Sequence, residues 1–131
     1  MTIKELEEYR SLLNEIEALN RQIESLYNTY HSPSTESASK SSGKPHSPTE
    51  RALAQIQTLE QTYYDEINEL QKKAHEIELW VQSIEDMFVR SCIRYHYLLG
   101  YSWKETSKKV YGYVSYYNAR KIVYRYMGKE K

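Results

Sequence analysis

The side chains of this chain best suited to chemistry lie in Ser115-Tyr116-Tyr117-Asn118-Ala119-Arg120-Lys121-Ile122-Val123-Tyr124-Arg125. Read as a helix with Ala119 and Ile122 turned inward, the stretch puts Tyr116, Tyr117, Arg120 and Lys121 on one outer face near its start. Tyr124 and Arg125 follow one turn later. Arg and Lys can donate to guanine O6 and N7, and Tyr can bond phosphate or pack on a thymine methyl. Ser115, at the cap, joins Tyr124 and Arg125 as a phosphate contact. Lys104, Lys108 and Lys109, on the preceding element, suit backbone phosphates. The plainer alternative is a basic, solvated face on a helical bundle. It accounts for the charge but not for two short capped helices with a turn between them.

The charge around this stretch is one-sided. Residues 87–131 hold ten Lys/Arg and only Glu105 and Glu130 as acids, a net +8. Residues 1–86 hold eight bases and sixteen acids, so the formal zero is a cancellation of two opposite halves. Nine of the fourteen tyrosines also fall in the basic third. Such asymmetry points to a polyanion as the partner of the C-terminal part.

Composition narrows the rest. Glycine and proline are few, which leaves long uninterrupted segments and favours helix. Cys92 stands alone, so no internal disulfide forms; its apolar helical setting suits a small buried hydrophobe. His31, His46, His75 and His96 have no partner at metal-ligand spacing, and there is no glycine-rich phosphate loop. The acids recur at helical surface spacing, as solvated faces do. Trp80 and Trp103 read as packing residues. No catalysis, cofactor or metal is expected. No apolar run is long enough to span a membrane and the N-terminus lacks a leader pattern, so the expected location is the cytoplasm.

The elements that must position these residues follow from periodicity. Residues 1–30 hold a first long helix with a heptad seam of Leu6, Tyr9, Leu13, Ile16, Asn20, Ile23, Tyr27 and Tyr30. Leu12, Leu19 and Leu26 widen it. Residues 31–49 are Ser- and Pro-rich and read as a flexible linker. Residues 50–86 form a second long helix opening near Thr49, with Ile56, Leu59, Tyr63, Ile67, Leu70, Ala74, Ile77, Val81 and Ile84 as its seam. The two most simply close into an antiparallel, coiled-coil-like hairpin. Homo-oligomerisation through the same seams competes, and Asn20 could fix register in either. Residues 87–131 then form a helix-turn-helix domain. Phe88, Cys92, Ile93, Tyr97 and Leu98 face inward, and Gly100 ends that helix. Ser102 and Glu105 make a capping box, Gly112 turns the chain, and a final helix runs to about Met127.

The pattern Tyr95-x-Tyr97-x-x-Gly100-x-Ser102-Trp103-x-Glu105-Thr106-Ser107-x-x-Val110, followed by Ser115 and Arg120, resembles the fourth conserved region of bacterial sigma factors. It is more similar to the phage late-gene activators of the RinA and ArpU type and related phage proteins. The likeness covers about residues 85–127. Thr106 and Ser107 stand where that pattern usually has Ile and Ala. The resemblance implies DNA binding, transcriptional control in a bacterial host and RNA polymerase as a partner. It also places Tyr116, Tyr117, Arg120 and Lys121 where the sigma helix meets bases.

The sequence thus reads as an all-α, phage-type, sequence-specific regulator that docks a C-terminal helix in the major groove of double-stranded DNA. The rivals are a DNA-packaging protein like a phage small terminase subunit and a structural coiled-coil protein that binds no nucleic acid.

Overall fold

The structure is a computed structural model that describes residues 1–30, 47–113 and 116–129. It is all-helical, with no strand among the described residues. In chain order the elements are α1 (Ile3–Tyr30), α2 (Ser47–Gln82), α3 (Met87–Ile93), a π-helical turn (Arg94–Leu98), α4 (Trp103–Tyr111) and α5 (Tyr116–Lys129). Of the linker expected at 31–49, residues 31–46 lie outside the described residues, while Ser47, Pro48 and Thr49 belong to α2. The second long helix opens at Ser47, not at a Thr49 cap, and ends at Gln82, earlier than its apolar periodicity suggests.

Two compact units divide the chain. One comprises Glu15–Glu69. In it α1 and α2 meet through Leu19, Ile23 and Ile67, all buried. Gln22 Nε2 donates to the Tyr63 hydroxyl at 3.0 Å, and the Tyr27 hydroxyl donates to Glu60 at 2.7 Å. The partner number falls as the first rises, so the segments run in opposite directions. Two seam residues expected from the sequence face solvent here, Asn20 and Leu59. An unsupercoiled α-helix drifts by about 20° per heptad. After Ile16 the inward position is therefore Leu19, and Asn20 cannot set a register.

The other unit comprises Met1–Asn14 and Leu70–Lys131. Its core joins all of its helices. Leu6 and Tyr9 of α1 and Ala74, Ile77 and Val81 of α2 pack in one cluster with Ile84, Val89, Cys92, Ile93 and Tyr97. Ala119, Val123 and Met127 of α5 complete it. The Tyr9 hydroxyl donates to Glu78, and burial together with that carboxylate pushes its pKa up to about 12. Cys92 is fully buried, and loss of solvation pushes its thiol up to about 11, far from a reactive thiolate.

A break at Ser83–Asp86 separates α2 from α3, where the sequence reads as continuous helix. Asp86 caps α3 by accepting from the Phe88 and Val89 amides at 2.9 and 3.2 Å. The new start resets the helical phase. Val89 becomes the buried residue, and Phe88, expected inside, is 52 % exposed and stacks on Tyr111.

The π-helical turn closes with Leu99 N–H donating to Arg94 O at 2.9 Å. Gly100 follows at φ 83°, and Tyr101 N–H reaches back to Tyr95 O. Arg10 of α1 donates to Leu98 O at 3.2 Å, and its guanidinium lies 3.2 Å from where a Cβ on Gly100 would sit. Only glycine meets both demands without strain.

Candidate nucleic-acid interface

Two capped helices carry the interface. Ser102 accepts from the Glu105 amide at 3.1 Å while the Glu105 carboxylate reaches back to the Ser102 amide, so the capping box expected from the sequence is formed. Gly112 ends α4 in the left-handed region at φ 87°, as its turn role requires. Thr106 and Ser107, fully buried, seat α4 on its neighbours. The Ser107 hydroxyl donates to Tyr113 O at 3.1 Å and so ties the turn back to α4. Asn118 of α5 donates to the Tyr113 hydroxyl at 3.1 Å from the other side. Thr106 Oγ1, by contrast, is buried without a hydrogen-bond partner.

With α4 and α5 seated in this way, Lys104, Lys108 and Lys109 stand exposed on α4, and Arg120, Lys121 and Arg125 on α5. Arg120, Lys121, Tyr124 and Arg125 line an open depression of about 370 Å³ along α5. A second, of about 300 Å³, runs from Tyr111 at the end of α4 to Asn118, Lys121, Ile122 and Arg125. No carboxylate lines either. Glu105, the one acid of 87–129, is held in its cap. Tyr116 and Tyr117 fall in the first turn of α5, but their side chains, and Ser115 altogether, lie outside the described residues.

Not every base of the positive segment belongs to this face. Arg90 is half-buried and donates to Ile84 O at 2.6 Å, where it closes the α2–α3 break. Arg94 bonds Gln82. Both are spent on internal geometry. Tyr124, assigned to phosphate from the sequence, is engaged as well. The Arg120 guanidinium lies over its ring at 4.6 Å from the centroid. Lys4 was missed. It sits at the start of an acidic helix, yet lines a groove of about 420 Å³ with Tyr124, Met127 and Gly128. No local signal in the sequence points to that neighbour.

His96 and Trp103 hold the joint between the π-helical turn and α4. Their rings stack at 3.7 Å between centroids, and His96 Nδ1 is 2.7 Å from Tyr101 O, as donor in the neutral ring. Burial lowers the His96 pKa below its usual 6.5, against the smaller opposing effects of that hydrogen bond and of Glu7. A histidine shifted down is neutral when folded and takes up its proton first when unfolded. Its contribution to stability is complete above about pH 6.5 and is lost as pH falls toward the folded value. Urea midpoints should therefore drop between pH 7.5 and 5, and His96→Phe should flatten that dependence. An unchanged slope in the variant would assign the pH effect to other groups.

Among the described residues no cluster of His, Cys, Asp or Glu could hold a metal ion, and no helix is long and apolar enough to cross a membrane. Comparison with protein-family models, curated proteins and solved structures finds no match to this chain.

Proposed function

We propose that this chain is a sequence-specific double-stranded DNA-binding regulator of transcription, of phage type, with α4 and α5 as a helix-turn-helix. In this reading α5 is the recognition helix and enters the major groove, while α4 lies across the backbone. The observation that carries it is the run of exposed cations on two successive packed helices joined by a left-handed glycine turn. Lys104, Lys108 and Lys109 stand on one; Arg120, Lys121 and Arg125 stand on the other. A merely solvated face would ordinarily intersperse acids. Here the acid of α4 is turned to its own cap.

The acidic lengths of α1 and α2 pair as an antiparallel hairpin and offer the surface for RNA polymerase or a second copy of the chain. The opposed pairing of Gln22 with Tyr63 and Tyr27 with Glu60 supports the hairpin. No catalysis is assigned.

The test uses the full chain. Selection from a random duplex pool should enrich one short site, and affinity should fall steeply with salt, because phosphate contacts release counterions. Lys109→Ala should weaken the selected and a random duplex about equally and reduce the salt slope by about one. Arg120→Ala should weaken the selected duplex more, by roughly 1–3 kcal/mol of discrimination. No enrichment, or binding indifferent to salt, would remove this function. Loss of base preference in Lys109→Ala with preference intact in Arg120→Ala would put α4 rather than α5 in the groove.

A further inference from the structure

We infer that Tyr124 and Arg120 form one preorganised reading unit, in which Tyr124 positions Arg120 for the O6/N7 edge of a guanine. The inference rests on the DNA-binding reading above and names the chemistry that its central side chain recognises.

Tyr124 stands one turn along α5 from Arg120 and is 40 % exposed. The Arg120 guanidinium lies over its ring at 4.6 Å from the centroid. The i, i+4 spacing on one helix brings the two side chains together.

A guanidinium lying over a ring face has a specific consequence. The contact uses the π cloud of the ring and none of the five N–H donors of the arginine. No carboxylate among the described residues bonds Arg120. The donor fork is therefore held in place yet chemically unspent. An unsupported arginine loses side-chain freedom when it binds, and prior ordering removes part of that cost. A planar, always-charged fork matches two acceptors side by side, and in the major groove guanine offers such a pair in O6 and N7. Lysine at position 120 could not use the ring in the same way, since it carries a point charge without a plane.

A double-mutant cycle on the full chain tests this, with the selected duplex, a random duplex and the selected duplex carrying 7-deazaguanine at each guanine in turn. Thermal melts first establish that each variant folds. Tyr124→Leu keeps bulk but removes the ring face. It should lose severalfold in preference for the selected duplex and leave random-duplex binding within twofold. Arg120→Ala should lose at least as much, and the double variant no more than Arg120→Ala alone. One 7-deazaguanine position should weaken the parent chain and not Arg120→Ala. If the losses from Tyr124→Leu and Arg120→Ala add, or if Tyr124→Phe weakens both duplexes alike, Tyr124 is a direct contact and the unit does not exist. If Arg120→Ala itself changes neither duplex while the parent still selects a site, Arg120 is not the reader. If the parent selects no site at all, the DNA-binding reading fails first, a result separable from the others.

Discussion

Replacing Leu6 by alanine is expected to destabilise the chain by about 2–5 kcal/mol, and to weaken DNA binding although Leu6 touches no proposed contact. Leu6 is fully buried and belongs to the same apolar cluster as Ala119, Val123 and Met127 on the inner side of α5. Truncation removes its transfer free energy and leaves a cavity in a core that rigid helices close only in part. The cost falls on the unit that seats α5, because Met1–Asn14 and Leu70–Lys131 form one compact body. Urea denaturation followed by circular dichroism gives the stability. Binding to a selected duplex, measured near the melting temperature of the variant, gives the functional loss. Ser11→Ala on the exposed side of the same helix is the control and should change neither. A Leu6→Ala chain as stable as the parent would mean that α1 does not support the basic unit. It follows that a fragment of 87–131 is a poor test of DNA binding, since it lacks Leu6, Tyr9 and Val81.

Two neighbouring substitutions in α4 should act with opposite sign. Thr106→Val is expected to stabilise by about 1–3 kcal/mol, the penalty of a buried polar group without a partner. Thr106 Oγ1 is such a group, and valine fills nearly the same volume. Ser107→Ala should destabilise by about 1 kcal/mol, because its hydroxyl serves Tyr113 O and removal leaves that carbonyl of the turn without its donor. The two side chains are equally buried, so hydrophobicity alone would predict gains at both. Melting curves of the two variants decide the matter. A loss of stability in Thr106→Val would mean that its hydroxyl has a partner, such as bound water. Neither residue lies on the exposed basic face, so DNA affinity at low temperature should be unchanged in Thr106→Val.

How much of this was legible in the sequence depends on the range of the interaction that decides each feature. Local rules act within a few residues, and they could be read directly. Seam spacing marked two long helices. Ser102 and Glu105 announced the start of α4, Gly112 its end, and the apolar spacing of Ala119 the inner side of α5. Sorted charge located the basic face, because a side chain at the surface keeps its charge whatever it packs on. The break at Ser83–Asp86 was also locally encoded, in Asp86 ahead of Met87 and Phe88, but the apolar seam runs through it to Ile84. Periodicity and cap signal therefore competed, and the cap prevailed.

What the tertiary structure decided is everything set by neighbours distant in the chain. Asn20 and Leu59 turned out to face solvent because helical drift accumulates over turns and only the partner helix fixes which stripe is covered. Arg90 and Arg94 were withdrawn from the basic face because carbonyl and amide acceptors on the preceding segment need donors. Lys4 was brought beside α5 because the acidic helix that carries it also supplies Leu6 and Tyr9 to the core under α5. Residue type and spacing thus determined which side chains could do the chemistry. Packing determined which of them are free to do it, since a group already satisfying a buried partner has nothing left to offer a ligand.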